Sequence, residues 1–312
     1  MKRILLVVFL CLSIQVAKSQ VGIGNLDLIP SNKNFITYFA MNDPEAEANQ
    51  PYIKVIQEAW TIGKVEFIKF ADEEKYKTKE SYFLLIGGAI TGVESMTTNS
   101  NTYIYLEFLR FEAPTDFVDK SGKKNIIWGK KTQIARIDLY PDFATLDKPQ
   151  NIFDNDLGFD GHIRNWGPGV LKNYLQALVG FVKRNEEQKL YDKLNNPTEL
   201  SKLHNSTLLV TEDVLIKYKK SNGDESERFG EAEIFKNYNL KYKLISMKEL
   251  NEKILNEKDP FYYLLYCKSG PDKFVTIMNS MTGEIAYARY ISKSNNFKAD
   301  DIEDVQKAIM KN

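Results

Sequence analysis

Apolar residues recur along this chain at two periods, and the switches between them mark out its elements. Residues 34–41 form a short apolar run that Asp43-Pro44 ends. Residues 45–60 follow, with Tyr52, Val55, Ile56 and Ala59 at helical spacing. Residues 64–70 alternate, Val65 and Phe67 against Glu66 and Lys69, and predict a half-buried strand. The charged stretch 72–79 predicts a short helix or turn. Residues 81–90 are apolar without a break, as in a central strand covered on both faces. Two further strands are predicted at 102–111 and 131–140. Residues 169–184 predict an amphipathic helix, with Val170, Leu171, Tyr174, Leu175, Leu178, Phe181 and Val182 on one side.

The second part repeats this order. It predicts a strand at 207–218, a helix at 231–238, a strand at 241–246, a helix at 247–255 and an apolar strand at 261–268. Strands at 273–280 and 284–291 are joined by Met281-Thr282-Gly283, a hairpin signal. A closing helix covers 299–310, with Ile302, Val305 and Ile309 in register. Both halves read β-α-β-α-β-β-β-α. The fold class expected is α/β (α+β), as two tandem similar modules, each built on a mixed sheet. Ala135-Arg136-Ile137 and Ala288-Arg289-Tyr290 look like equivalent points in the two final strands. The division expected is a leader at 1–19, a first module at 20–185, a linker at 186–206 and a second module at 207–312. Residues 20–34 read as a polar loop. The first module is longer through three expected loops, 91–101, 112–125 and 141–168, and such loops are where modules on a common scaffold diverge.

The leader bounds the chemistry. Lys2 and Arg3, the apolar run 4–17 and the small residues of Ala17-Lys18-Ser19 have the three parts of a secretory signal peptide, with Gln20 as the mature N-terminus. A periplasmic or secreted location follows, with no routine supply of ATP or NAD(P)H. Phe9 and Leu10 are too bulky for lipid attachment at Cys11. One cysteine then remains in the mature chain, Cys267, which reads as a small core residue and has no partner for an internal disulfide. No later apolar run approaches the roughly 20 residues that span a bilayer, so no transmembrane segment is expected after signal cleavage. Lys and Arg number 42 and so do Asp and Glu, which provides no global drive toward nucleic acid.

The richest polar constellation is Asp154, Asp156, Asp160 and His162, followed by Arg164 and Trp166. Three carboxylates at this spacing offer hard oxygen ligands for Ca²⁺, and His162 a base or a ligand for a softer metal. An EF-hand loop needs a carboxylate where Asn165 stands, so that motif fails; the bland reading is a solvated loop before a helix whose first turn holds Pro168. Residues 87–92 carry glycines at the spacing of a phosphate-binding loop, but Val93 and Glu94 occupy the reactive positions and no helix follows. A close backbone approach is expected there. His204 reads as a surface residue, and the acidic clusters at 72–74 and 300–304 as helix starts. No Gly-x-Ser-x-Gly elbow or His-Glu-x-x-His helix is present, so an enzyme is the less favoured reading.

Residues 241–312, with Thr282-Gly283-Glu284 at the hairpin turn, resemble a group of bacterial envelope modules typified by the TolB amino-terminal and CsgG periplasmic domain families. The resemblance implies a non-catalytic envelope module with protein partners, and it offers no catalytic residues. Three functions are expected in order: contact with an envelope protein, a small ligand held between the modules, and a metal-assisted hydrolase at residues 154–162.

Overall fold

The computed structural model describes residues 20–31, 34–77, 79–92, 100–127, 129–142, 145, 163–219 and 225–312. The first sheet has the order β1-β8-β5-β4-β2-β3. Its strands are β1 (Val21–Ile23), β2 (Ile36–Met41), β3 (Lys64–Lys69), β4 (Ser81–Gly92), β5 (Ser100–Phe111) and β8 (Lys131–Leu139). Between β5 and β8 a separate ribbon is formed by β6 (Thr115–Val118) and β7 (Lys124–Ile127). The helices of this half are α1 (Gln50–Ala59), the single turn α2 (Glu73–Tyr76) and α3 (Pro168–Arg184).

The second sheet has the order β13-β10-β14-β15-β16-β9. It is built from β9 (Leu194–Asn195), β10 (Leu208–Thr211), β13 (Tyr242–Ile245), β14 (Tyr262–Ser269), β15 (Asp272–Asn279) and β16 (Ile285–Ile291). β11 (Ile216–Tyr218) and β12 (Glu225–Arg228) pair beside it. Its helices are α4 (Pro197–Lys202), α5 (Glu231–Ile234), α6 (Met247–Asn256) and α7 (Ala299–Met310).

The two sheets match strand for strand. β2 lies parallel between β3 and β4, as β10 does between β13 and β14. The remaining pairs, β4–β5, β5–β8 and β8–β1 against β14–β15, β15–β16 and β16–β9, are antiparallel. The irregularities match too. Leu84 stands beside Phe39 and opposite Phe108, and Leu264 beside Val210 and opposite Ile277. The register slips just after each of these, between Phe108 and Leu109 and between Ile277 and Met278. A bulge at one point of both sheets is a designed feature of a strand. This register corrects one expectation. Phe108 faces Ala135 and Ile277 faces Tyr287, so Arg136 corresponds to Ala288, and the two Ala-Arg echoes are offset by one residue. An offset of one puts a side chain on the opposite face.

The layers explain why α3 is buried on two sides. Phe39, Leu84, Leu106, Phe108 and Ile137 of the first sheet share one apolar cluster with α1 and α3. Leu209, Tyr263, Leu265, Met278 and Ala288 of the second sheet join that cluster from the other side, with Leu250 and Ile254 of α6. The opposite face of the second sheet packs on Ile302, Val305 and Ile309 of α7. The order is therefore sheet, helices, sheet, helix. Asn173 of α3 ties the middle layers, donating to the Ser280 carbonyl (2.9 Å) and accepting from the Tyr263 hydroxyl (2.8 Å). α3 ends on Asn185 in the left-handed region, where the amides of Asn185 and Glu186 reach back to the carbonyls of Val182 and Phe181.

Several local expectations change. Residues 20–34 are not all loop: β1 pairs with β8, and Gln20 and Val21 are fully buried. A three-residue edge strand has no period to read; only its partner, more than a hundred residues away, makes it a strand. Residues 207–218 do not run as one strand, because a 3-10 turn at Glu212–Leu215 separates β10 from β11. The stretch 186–206 supplies β9 and α4, so it takes part in the second sheet. The stretch 112–125, read as loop, holds β6 and the start of β7.

Candidate functional site

A cleft of about 690 Å³ lies between the halves. Its apolar floor is Ile163, Trp166, Pro168, Met247 and Leu255. The start of α3, the start of α6, the 3-10 turn Glu212–Leu215 and β12 form its walls. Arg164 crosses it. Its Nη2 lies 2.6 Å from Glu225 and its Nη1 3.7 Å from Asp213, while its amide donates to the Tyr140 carbonyl (2.7 Å). The Tyr140 phenol bonds that of Tyr218 on β11, and the Tyr140 ring packs edge-on to Tyr266. One cation from the first half thus holds two carboxylates of the second.

The electrostatics follow from that sharing. Burial pushes the Asp213 carboxyl up to about 6, more than Arg164 and Arg228 pull it down. Burial alone would lower the Arg164 guanidinium, but Tyr140, Asp213 and Glu225 together raise it above its ordinary value. Burial also raises the Tyr140 and Tyr218 phenols, so both stay protonated at neutral pH. Arg228 donates to the Glu212 carbonyl (2.9 Å), and Lys248 and Glu252 complete a rim of mixed charge. Such a rim suits a small polar or zwitterionic ligand better than a strongly charged one.

Asp154, Asp156, Asp160 and His162 lie outside the described residues. Their flanks, Asp142 and Ile163, line this cleft. Among the described residues no three His, Cys, Asp or Glu side chains group to hold a metal ion. His204 is exposed, as its sequence context predicts. Cys267 is fully buried; burial raises its thiol, and Sγ sits 3.5 Å from the Asp138 carbonyl, which makes it a packing residue. Gly87 and Gly88 pair regularly with Tyr105 and Ile104. A side chain at either glycine would come within 3.2 Å of those neighbours, so the glycines serve close approach between strands. The acidic residues at Glu73, Glu74, Asp300 and Asp301 do begin helices.

The feature sequence reasoning missed is the β6–β7 ribbon. Phe117, Val118, Ile126 and Ile127 are 42, 60, 56 and 56% exposed. They stand on a two-stranded ladder that pairs with no other strand among the described residues. The amides of Ser121 and Lys123 donate to Asp119 and close its turn, with Gly122 at positive φ. The signal available was Asp119-x-Ser121-Gly122 between two short apolar runs.

No helix among the described residues is long and apolar enough to cross a membrane. No family model, curated protein or solved structure matches the chain.

Proposed function

We propose that the chain is exported to the periplasm or cell surface and works there without catalysis, through contact with another protein of the envelope. The observation that carries this reading is the ribbon. On eight residues of isolated ladder each face exposes two large apolar side chains, Phe117 and Ile127 on one and Val118 and Ile126 on the other, and exposed apolar groups of this kind mark interaction sites. The second half turns at the equivalent point through residues 280–284 alone. The resemblance of residues 241–312 to envelope modules agrees with this reading. The test is a variant with residues 114–128 replaced by a Met-Thr-Gly turn. It should keep the wild-type melting temperature and lose the complexes that the wild-type chain forms in its own envelope. Retention of those complexes sinks the reading. Fractionation, and an intact mass that begins at Gln20, check the export.

The cleft favours a second reading, a small polar ligand held between the modules. Trp166 on its floor supplies the assay: ligand entry should change its fluorescence, and Arg164→Met should abolish that change.

A further inference from the structure

The cleft between the halves holds charges that the fold itself does not use. Asp213, in the 3-10 turn Glu212–Leu215, has a side chain only 17% exposed, yet no hydrogen bond from a described residue reaches its carboxylate. Its contact with Arg164 Nη1 is long, at 3.7 Å, while the same guanidinium sits 2.6 Å from Glu225. A mostly buried carboxylate without a donor is costly, and a donor brought by a ligand removes that cost. The other acids lining the cleft are provided for: Asp142 accepts from the amide and hydroxyl of Thr145 (both 2.8 Å), and Glu212 and Glu252 are exposed to water. Two cations stand in the same cleft. Arg228 on β12 spends one N–H on the Glu212 carbonyl (2.9 Å), and Lys248 lies in the first turn of α6. Among the described residues neither makes an ion pair.

The apolar floor sets the length of what these charges can hold. Met247 and Leu255 lie about two turns apart on α6, roughly 12 Å along its axis. Ile163, Trp166 and Pro168 carry the floor across to the start of α3. One apolar side chain cannot cover this strip, whereas an extended tripeptide reaches about 10 Å. Leu255 is 40% exposed, so part of the strip is apolar surface in water that a ligand would cover. A volume of about 690 Å³ suits a ligand of that size. A ligand with only an ammonium would be repelled by Arg228 and Lys248, and one with only a carboxylate by Asp213 and Glu212. A zwitterion meets a partner at both ends.

We propose that the cleft binds a short apolar peptide, of the length of a tripeptide, through both of its free termini. This rests on the second reading above, a small polar ligand held between the modules, and names the chemistry of that ligand. The peptide ammonium donates to the Asp213 carboxylate, its terminal carboxylate lies against Arg228 and Lys248, and its side chains cover Met247 and Leu255. Each charged contact replaces one with water, so the termini supply selectivity and the apolar strip most of the affinity.

The test is isothermal titration calorimetry of the chain from Gln20 onward with leucyl-leucyl-alanine and with its N-acetylated, C-amidated and doubly blocked forms. Acetylation or amidation alone should weaken binding about tenfold or more. In Asp213→Asn the acetylation penalty should shrink to less than about twofold, and in the double variant Arg228→Gln, Lys248→Gln the amidation penalty should do the same. Asp213→Asn keeps the shape of the side chain, Arg228 and Lys248 are exposed, and melting curves check each fold. A free peptide that binds no better than its doubly blocked form, penalties that persist in the variants, or no binding of any form overturns the proposal. The two readings fail separately. A doubly blocked peptide that binds the wild type as tightly as the free one, but not Arg164→Met, overturns the zwitterion and keeps a ligand in the cleft. A free peptide that binds Arg164→Met as tightly as the wild type places the contact elsewhere and overturns both.

Discussion

The connection from β5 to β8 and that from β15 to β16 occupy equivalent places in the two halves, and they are built for opposite ends. In the second half Met281, Thr282 and Gly283 turn tightly, and Gly283 lies against α3 of the first half. In the first half the same connection leaves the sheet, forms the ribbon and returns at Lys131. One turn is pressed against α3 through Gly283, and the other stands clear of the sheet. The scaffold around both, down to the bulge after Phe108 and after Ile277, is the same. The difference teaches that the repeated sheet supplies stability, while the connection is free to change wherever no second layer covers it.

The sharpest way to break that comparison is at its two glycines. Gly283 has φ +67, and a Cβ there would lie 2.4 Å from the Asn173 carbonyl oxygen. Gly283→Val should cost about 3–5 kcal/mol, through strain and a forced shift of α3. Gly122 has φ +85 but open space around it, so Gly122→Ala should cost only about 1 kcal/mol. Urea denaturation measures both, and equal losses would mean that the two turns are not the buried and exposed versions of one connection.

Asn173→Ala comes next. It removes the bonds to Ser280 and Tyr263 and leaves both groups buried, at a cost of about 2 kcal/mol. A loss below about 0.5 kcal/mol would show that the Asn173 bonds do not help to hold the halves together.

The junction at Arg164 sharpens the comparison through pH. The Asp213 carboxyl titrates near 6 in the folded chain and near its ordinary value of 3.8 when unfolded. Between those values the folded state holds the extra proton. Stability is therefore greatest below about pH 4 for this group and falls as pH rises toward 6, by on the order of 2 kcal/mol. Asp213→Asn should flatten that part of the profile. An unchanged slope in the variant would place the titration elsewhere.

The smallest expected effect is on the ribbon itself. Ile126→Asp should shift stability by less than about 0.5 kcal/mol, because the side chain is already in water. A larger loss in thermal unfolding would mean that the ribbon supports the fold rather than serving contact.

Much of the frame was legible from local pattern. The apolar run of β4 and β14, the spacing of Tyr52, Val55, Ile56 and Ala59, and the Thr282-Gly283 turn each declare an element within a few residues. The pieces that escaped are short or depend on a distant partner. β1 is three residues that become a strand only against β8, and the break in 207–218 arises where β11 leaves the sheet to pair with β12. Arg164 stood out in the sequence beside Trp166, but Asp213 and Glu225 lie far along the chain, and nothing local announces that they share its charge.

What the order of apolar and polar residues determined by itself is the repeated α/β frame, because period and turn chemistry act over a few residues. Which face of the second sheet meets α3, which carboxylates share one guanidinium and which connection stands out in water were decided only in the tertiary structure. Those outcomes depend on burial and on charges brought together from distant parts of the chain, and no short window of sequence contains either.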